Sequence, residues 1–551
     1  MNAYIKSKRT NCKNCYKCIR HCALKSLCFS NDQASILKDD CVYCGECYLI
    51  CPQNVKSIVS DVDKVKQLLQ QDQQVVASIA PSFHALSDTN YAQLTKQLKS
   101  IGFSAVEETA VGAAMVKTEY EHLCDENTQD VMITSCCHSV NLLIQKYYPE
   151  VLKNLIDVVT PMEAHARVIK QNNPNAKVVF IGPCISKKAE IDDCESNVDV
   201  VLTFDDLDEL ITTSDGSEKE IGLGIPTRRF PTTGGILSTM KKNDHYTYLS
   251  IDGMENCMQT LEDIRNGNIK NCFIEMSLCT GSCAGGPVMR KRGFSRLQGT
   301  IEIFDKAQVG TLVDVPQLDL HTVFESKQKP QLHIGDAMID EVLKKIGKTS
   351  KEHELNCGSC GYNTCREKAI AVLQGKANLE MCMPYLRDRA ESFSDNIIRN
   401  TPNGIIVLNE EFEIEQMNDA ACDILNLNNS YEIVGEQVIR VLDPKIIMDT
   451  YLDGKNTYDK KIYLAECDKH INLSVISDRS YHILICIMRD ITQETRVRKE
   501  RDKLRQSTIE ITDEIVEKQM RSVQEIASLL GETTAETKVA MTKLKELLHN
   551  E

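Results

Sequence analysis

Cys279 and Cys283 stand four residues apart in FIEMSLCTGSCAGGP, residues 273–287, where apolar residues lead in and Gly281, Gly285 and Gly286 let the backbone come close to something bulky. Thiolates at this spacing are metal ligands before they are anything else. Two other stretches end the same way. Thr134-Ser135-Cys136-Cys137 follows the apolar run Val131-Met132-Ile133, and Gly182-Pro183-Cys184-Ile185-Ser186-Lys187-Lys188 follows Val178-Val179-Phe180-Ile181. Each is a buried-strand pattern running into a cysteine loop, which is where α/β sheets build their sites.

Further thiols sit in tighter groups. Cys12-x2-Cys15-x2-Cys18-x3-Cys22 and Cys41-x2-Cys44-x2-Cys47-x3-Cys51-Pro52 carry the spacing of bacterial two-cluster ferredoxins, in which the fourth cysteine of each run ligates the other cluster. One 4Fe-4S cluster therefore takes Cys12, Cys15, Cys18 and Cys51, and the other takes Cys41, Cys44, Cys47 and Cys22. A pair of zinc knuckles is the competing reading, disfavoured because zinc sites rarely interleave two such runs. Ala23 replaces the proline usual after the first run, which affects the turn more than the ligation, and Cys28 reads as a buried small hydrophobe. Farther on, Cys357-Gly358-Ser359-Cys360-Gly361-x3-Cys365 and then Cys382 resemble a small single-cluster 4Fe-4S domain, with zinc again the alternative.

The elements that position these groups follow from the apolar runs. Val75 to Ala80 reads as a buried parallel strand that Pro81 ends, and similar runs recur at Val131 to Thr134, Val178 to Ile181 and Val198 to Leu202 with helical stretches between. This alternation predicts α/β lobes with helices on both faces. Residues 61–74 read as a polar helical connection, and Glu341 to Leu355, with four lysines, as a linker helix.

Composition sets the outer bounds. A chain of 551 residues has room for three to five domains, and a net charge of −15 argues against nucleic acid and against an anionic membrane surface. No long apolar run or hydrophobic leader is present, so the expected location is cytoplasmic. In a reducing compartment 25 cysteines speak for metal sites and against disulfides.

Taken together and in order, the three strand-end loops resemble the signature loops of the FeFe-hydrogenase catalytic domain, from about Val75 to about Asp340. The resemblance implies two α/β lobes with the active centre in the cleft between them. It implies an H-cluster: a 4Fe-4S cluster on Cys137, Cys184, Cys279 and Cys283, with Cys283 bridging to a di-iron unit that carries CO, cyanide and a dithiolate bridge. Lys187 would donate to one cyanide, Ala80, Pro81 and Ser82 would line the pocket of the other, and the Cys136 thiol would pass protons to and from the bridge. Maturation enzymes would have to supply the di-iron unit. Sixteen cysteines are then ligands, and among the rest Cys124, Cys194, Cys257 and Cys272 are expected to pack.

Departures from the family pattern cluster around the same centre. Ser277 replaces a methionine, Leu278 a small residue, Gly182 another methionine, His138 a proline, and Met162 a common glutamine. Such neighbours set redox potential and proton affinity, so low turnover is implied more than loss of the cluster. Of the acidic residues, Glu190 aligns with the family's pattern, while Glu107 and Glu108 read as a solvated helix start. Lys187 and Lys188 as an ordinary solvated pair is the plainer alternative to the donor role of Lys187.

Beyond Arg387 the character changes. Gly404 to Asn409 and Phe412 to Asn418 read as a hairpin around Glu410-Glu411, Asn418 to Leu425 as a capped helix, and Ile471 to Ile476 and Tyr481 to Met488 as strands. The order resembles a PAS sensor domain. Cys422, Cys467, Cys486, His470 and His482 are read as strand-buried cysteines and surface histidines in preference to cofactor ligands. The tail is charged and helical. Val516, Met520, Val523, Ala527 and Leu530 form a coiled-coil seam, Gly531 ends that helix, and Thr533 caps another. His549 is the one histidine there, so no phosphoacceptor is expected.

The domains expected are thus a two-cluster ferredoxin fold at 1–60, a hydrogenase catalytic domain at 61–340, a single-cluster domain at 341–392, a PAS domain at 393–495 and a signalling tail at 496–551, a multidomain α+β and α/β architecture. The expected function is a hydrogen-sensing FeFe-hydrogenase acting on H2 and protons, with three accessory 4Fe-4S clusters, a redox partner such as ferredoxin, a signalling partner protein, and a homodimer paired through the tail. The alternatives are a metabolic, ferredoxin-linked hydrogenase and an iron-sulfur assembly protein without the di-iron unit.

Overall fold

The computed structural model describes residues 4–8, 12–86, 91–127, 129–193, 195–211, 225–307, 316–330, 333–530 and 534–549. Cys194, Gly531 and Thr533 lie outside them, as do the side chains of Ala527 and Leu530. The chain divides into two compact units, residues 1–386 and 387–551.

In the first unit, β1 (Ile5–Ser7), β2 (Leu27–Ser30), β3 (Gln33–Ile36) and β4 (Lys56–Ile58) form two antiparallel pairs, β1 with β4 and β2 with β3. Cys12 to Cys22 lie between β1 and β2, and Cys41 to Cys51 between β3 and β4. Cys28, on β2, is half-buried, not the fully buried side chain expected. The helix Val62–Leu69 makes the expected connection.

Seven strands follow: β5 (Val75–Ile79), β6 (Ala105–Glu108), β7 (Val131–Ile133), β8 (Lys177–Gly182), β9 (Val200–Thr203), β10 (Thr247–Asp252) and β11 (Cys272–Ser277). They form two all-parallel sheets, ordered β6-β5-β8-β9 and β10-β11-β7. Parallel strands need helical crossovers, which cover both faces, and accordingly β5, β7 and β9 are buried at every residue. Their carboxyl ends carry the loops that matter. Ala80-Pro81-Ser82 follows β5, Cys136-Cys137 follows β7, Cys184 follows β8 and Cys279 follows β11.

Two acidic residues sit differently from expectation. Glu107 and Glu108 end strand β6, and the next helix starts only at Ala110. Glu108 is buried and takes the Nε of buried Arg228 at 2.8 Å, while Glu107 meets His165 Nε2 at 3.2 Å. A lone buried carboxylate would be costly, and Arg228, 120 residues away in sequence, removes that cost. Lys188 is likewise no solvated lysine: it is 1% exposed, 2.9 Å from Asp61 and 3.0 Å from Asp206.

The helix Asp336–Lys345 packs on the helix Cys365–Leu373 through Ile339, Val342, Leu343 and Ala369. The linker expected over Glu341 to Leu355 is therefore part of a packed pair that begins five residues earlier, and the boundary drawn at 340/341 falls inside a helix.

In the second unit, β12 (Gly404–Leu408), β13 (Ile414–Met417), β14 (Thr457–Leu464), β15 (Lys469–Asp478) and β16 (Ile483–Asp490) form one antiparallel sheet ordered β13-β12-β16-β15-β14. Alternate residues of β15 and β16, with Cys422 and Ile424 of the helix Asp419–Leu425, make its core. Asn418 caps that helix, its side chain accepting from Ala421 N at 2.9 Å. Cys486 is buried in a strand as expected, but Cys422 is buried on the helix and Cys467 is half-buried outside any strand. His482 is exposed and His470 half-buried. The long helix Thr492–Leu530 follows, and the helix Thr534–His549 folds back on it, with Lys545 Nζ 3.6 Å from Asp513.

Candidate metal centre

The strand-end loops of both parallel sheets converge on one cavity of about 110 Å³. Ala80, Pro81 and Ser82 form one wall; Cys136, Cys137, Cys184 and Lys187 form another. Met162, Ser277 and Cys283 complete the set expected from sequence. Against it lies a narrower space lined by Cys137, Cys184, Cys279 and Cys283 together with Cys44 of the ferredoxin region. Four cysteines from three loops thus line one space. Burial pushes the Cys184 thiol up to about 11 and raises Cys279 well above its ordinary range, which disfavours their thiolates. An iron cluster supplies the positive charge that turns such thiols into thiolates.

The wider cavity has the chemistry of an anion-ligand pocket. Ser82 Oγ is buried and has no hydrogen-bond partner among the described residues. Lys187 is buried, with Nζ 2.6 Å from Glu190 Oε2 and 3.5 Å from the Cys136 carbonyl. Burial opposes its charge, but Glu190 and the neighbouring Cys184 and Cys136 outweigh that and raise its pKa. A fixed ammonium and an unpaired hydroxyl on one cavity suit a small anionic or hydrogen-bond-accepting ligand. Phe180, also on the wall, stands within 2.7 Å of where a side chain at Gly182 would begin. Its ring takes the room that a methionine at 182 would need.

The Cys136 thiol is desolvated, which pushes it up to about 12, and it lies 3.3 Å from the Tyr120 hydroxyl. That hydroxyl accepts from Ser135 N at 2.9 Å. Cys136 is thereby kept as a neutral thiol with a hydroxylic neighbour on its inner side. Glu275, in the middle of β11, also lines the cavity, and its carboxylate accepts from Gly234 N and Leu237 N at 3.0 Å each. Sequence reasoning passed over both Tyr120 and Glu275. For Glu275 a signal existed: a charged residue inside the apolar run Cys272–Met276 must have partners.

Two of the three accessory groups line cavities. Cys22, Cys41, Cys44 and Cys47 line one cavity, Cys18 lies in the field of Cys51 and Cys12, and Cys357, Cys360, Cys365 and Cys382 line another. Cys15 is exposed. Cys124, Cys257 and Cys272 are buried, as expected for packing residues.

Residues 73–242 and 217–287 match the family described as iron only hydrogenase large subunit, C-terminal domain. Residues 34–57 match a 4Fe-4S binding domain, 354–384 an Fe-S cluster family, and 393–461 a PAS domain. Iron hydrogenase 1 of Clostridium pasteurianum is 23% identical over 41% of this chain and 52% of its own length. The cytosolic Fe-S cluster assembly factor NAR1 of Kluyveromyces lactis is 23% identical over 31% of this chain and 40% of its own. The chain thus spans about half the length, or less, of the curated relatives it matches. Among solved structures, FeFe-hydrogenase HydA1 from Chlamydomonas reinhardtii aligns at TM-score 0.38 and 16% identity, covering 49% of this chain and all of its own. The PAS domain of an HTR-like protein from Haloarcula marismortui aligns at TM-score 0.16 and 18% identity over 19% of this chain and 99% of its own. Among the described residues no helix is long and apolar enough to cross a membrane.

Proposed function

Because this is a hydrogenase-like iron-sulfur protein with a PAS domain, we propose that it is a sensory FeFe-hydrogenase whose clusters report H2 or redox state to a partner protein through the PAS domain and the helical tail. The observation that carries the reading is the second cavity. A protein that held a cubane alone would need only the four-thiol space, whereas here a further space bears Lys187, Ser82 and Cys136. A di-iron unit bound there supplies the reversible splitting of H2. The chain's own part is to hold that unit through Cys283, to fix its anionic ligands with Lys187 and Ser82, and to keep a proton on Cys136 within reach. Cys136 would be the positioned acid, a role worth roughly a hundredfold to ten-thousandfold. A homodimer and a cytoplasmic location belong to the same reading.

The match to an assembly factor supports a second reading, an iron-sulfur assembly protein with the cubane alone. Infrared spectroscopy after co-expression with maturation enzymes separates the two. The sensory reading expects CO and cyanide bands, lost in Cys283→Ser and nearly unchanged in Cys136→Ala, which should evolve H2 about a hundredfold more slowly. Bands absent from iron-replete wild type would leave the assembly reading in place.

A further inference from the structure

The loop that carries Cys357 and Cys360 does not stand apart from the ferredoxin region; it is clamped to it. Arg20 donates from Nε to the Gly358 carbonyl and from Nη2 to that of Ser359, each at 3.2 Å. Lys25 donates to Gly361 O at 2.9 Å and to Ile19 O and Arg20 O at 3.2 Å each. Its Nζ also lies 5.9 Å from the centre of the Tyr362 ring. Beneath these contacts Ile19, Leu27 and Phe29 pack on Tyr362, Ala371 and Met381 in one core, with Cys22 and Cys360 at its edge. Gly361, at φ +93°, approaches Ile19 so closely that a Cβ there would sit 3.0 Å from the isoleucine side chain.

Lys25 is also conformationally unusual. Its φ is +49°, in the left-handed region that favours glycine. From that turn the ammonium is fixed between the two cysteine loops by three carbonyls.

We propose that Lys25 is the positioning residue of a junction between two cluster sites: it seats the Cys360 loop against the Cys22 turn and shares one part-buried positive charge between them. The proposal rests on the cluster assignments above, in which Cys22 belongs with Cys41, Cys44 and Cys47, and Cys360 with Cys357, Cys365 and Cys382. Reduction adds one negative charge to a cubane, and a fixed cation nearby favours that charge more strongly than it would in water. Lys25 therefore raises the reduction potentials of both sites together. The third site is then coupled to the catalytic unit through the ferredoxin region, since the Cys44 side of that region reaches the catalytic thiols.

The test is a potentiometric titration followed by electron paramagnetic resonance, on full-length protein expressed without maturation enzymes so that only cubanes are present. In Lys25→Met and Lys25→Gly, the latter relieving the backbone, two of the four reduction steps should move to lower potential at unchanged iron content. Lys25→Arg should restore them. If all four steps in both variants coincide with wild type, the assignment falls. It falls equally if amide exchange of residues 357–362 quickens while the potentials stay, which would make Lys25 a purely mechanical clamp. A wild type with about twelve irons in place of sixteen, unchanged in Cys357→Ser, would instead show that the Cys357 cluster is the missing one and remove it, and the proposed function's cluster set with it.

Discussion

Glu275 is a carboxylic acid buried on the wall of the metal cavity, and its titration has a consequence for stability. Burial, only partly offset by backbone N–H groups of residues 234–237, lifts it from the ordinary 4.5 to about 7. An acid whose pKa is higher folded than unfolded binds more protons in the folded state as pH rises between those values. Its contribution is therefore neutral below about 4.5, grows unfavourable from there to about 7, and is constant above. The full swing is about 3 kcal/mol at 1.36 per pKa unit. Wild type should lose thermal stability relative to Glu275→Gln between pH 5 and 7 and not between 7.5 and 8.5. A difference in Tm that is flat across pH 5 to 7 would mean that Glu275 is already ionised at pH 5. At this scale the grouping of cysteines at 12–22, 41–51 and 357–365 was legible, because short fixed spacings are visible in sequence, whereas Cys137, Cys184, Cys279 and Cys283 were reached through the resemblance of three separated loops. Tyr120 and Glu275 were not legible, because their partners lie 15 and about 40 residues away and only the fold brings them together.

At the scale of elements, the helix Ser186–Asp193 works in two directions. Successive residues on a helix point about 100° apart, so Lys187 reaches the cavity while Lys188 reaches the connection to the ferredoxin region. Lys188 Nζ donates to Val59 O at 2.9 Å as well as meeting Asp61 and Asp206. Removing one partner from a buried ionic group strands the others, at about 3 kcal/mol or more. Lys188→Met should accordingly speed amide exchange over residues 59–69 roughly a hundredfold, with the four-thiol site still loading iron. Exchange unchanged from wild type would make the contact ornamental. The strands that end in cysteine loops were readable because both faces are buried, which leaves uninterrupted apolar runs. Strand β14 was not: TYDKKIYL is mostly exposed, an edge strand with no apolar alternation to report it. The ion pair of Glu108 with Arg228 was invisible for a different reason, since a charge pattern alone does not distinguish a solvated carboxylate from one met by a distant guanidinium.

At the scale of the whole molecule, the tail decides how two chains would meet. The stretch expected to pair, Val516 to Leu530, has Val516, Met520 and Val523 half-buried where the last helix folds back along it, so part of that seam is used within the chain. Upstream the same helix leaves Val497, Leu504 and Ile511 exposed at 64%, 71% and 54%, seven residues apart. Four residues after each, at a positions, stand Arg501, Thr508 and Ile515, of which only Ile515 is apolar. With Val497, Leu504 and Ile511 as d positions, Glu500 is a g position and Arg505 the e position that faces it across a parallel pair. Opposite charges there favour a second copy of this chain in register. Truncation after Thr492 should yield a monomer with unchanged iron content and H2 chemistry, and Leu504→Lys in the full chain should do the same. Analytical ultracentrifugation reads the first outcome, and H2-dependent gene expression in the host reads whether signalling goes with it. A truncated protein that still sediments as a dimer, in a host whose response to H2 is intact, would remove the tail from the sensory account and favour a metabolic hydrogenase.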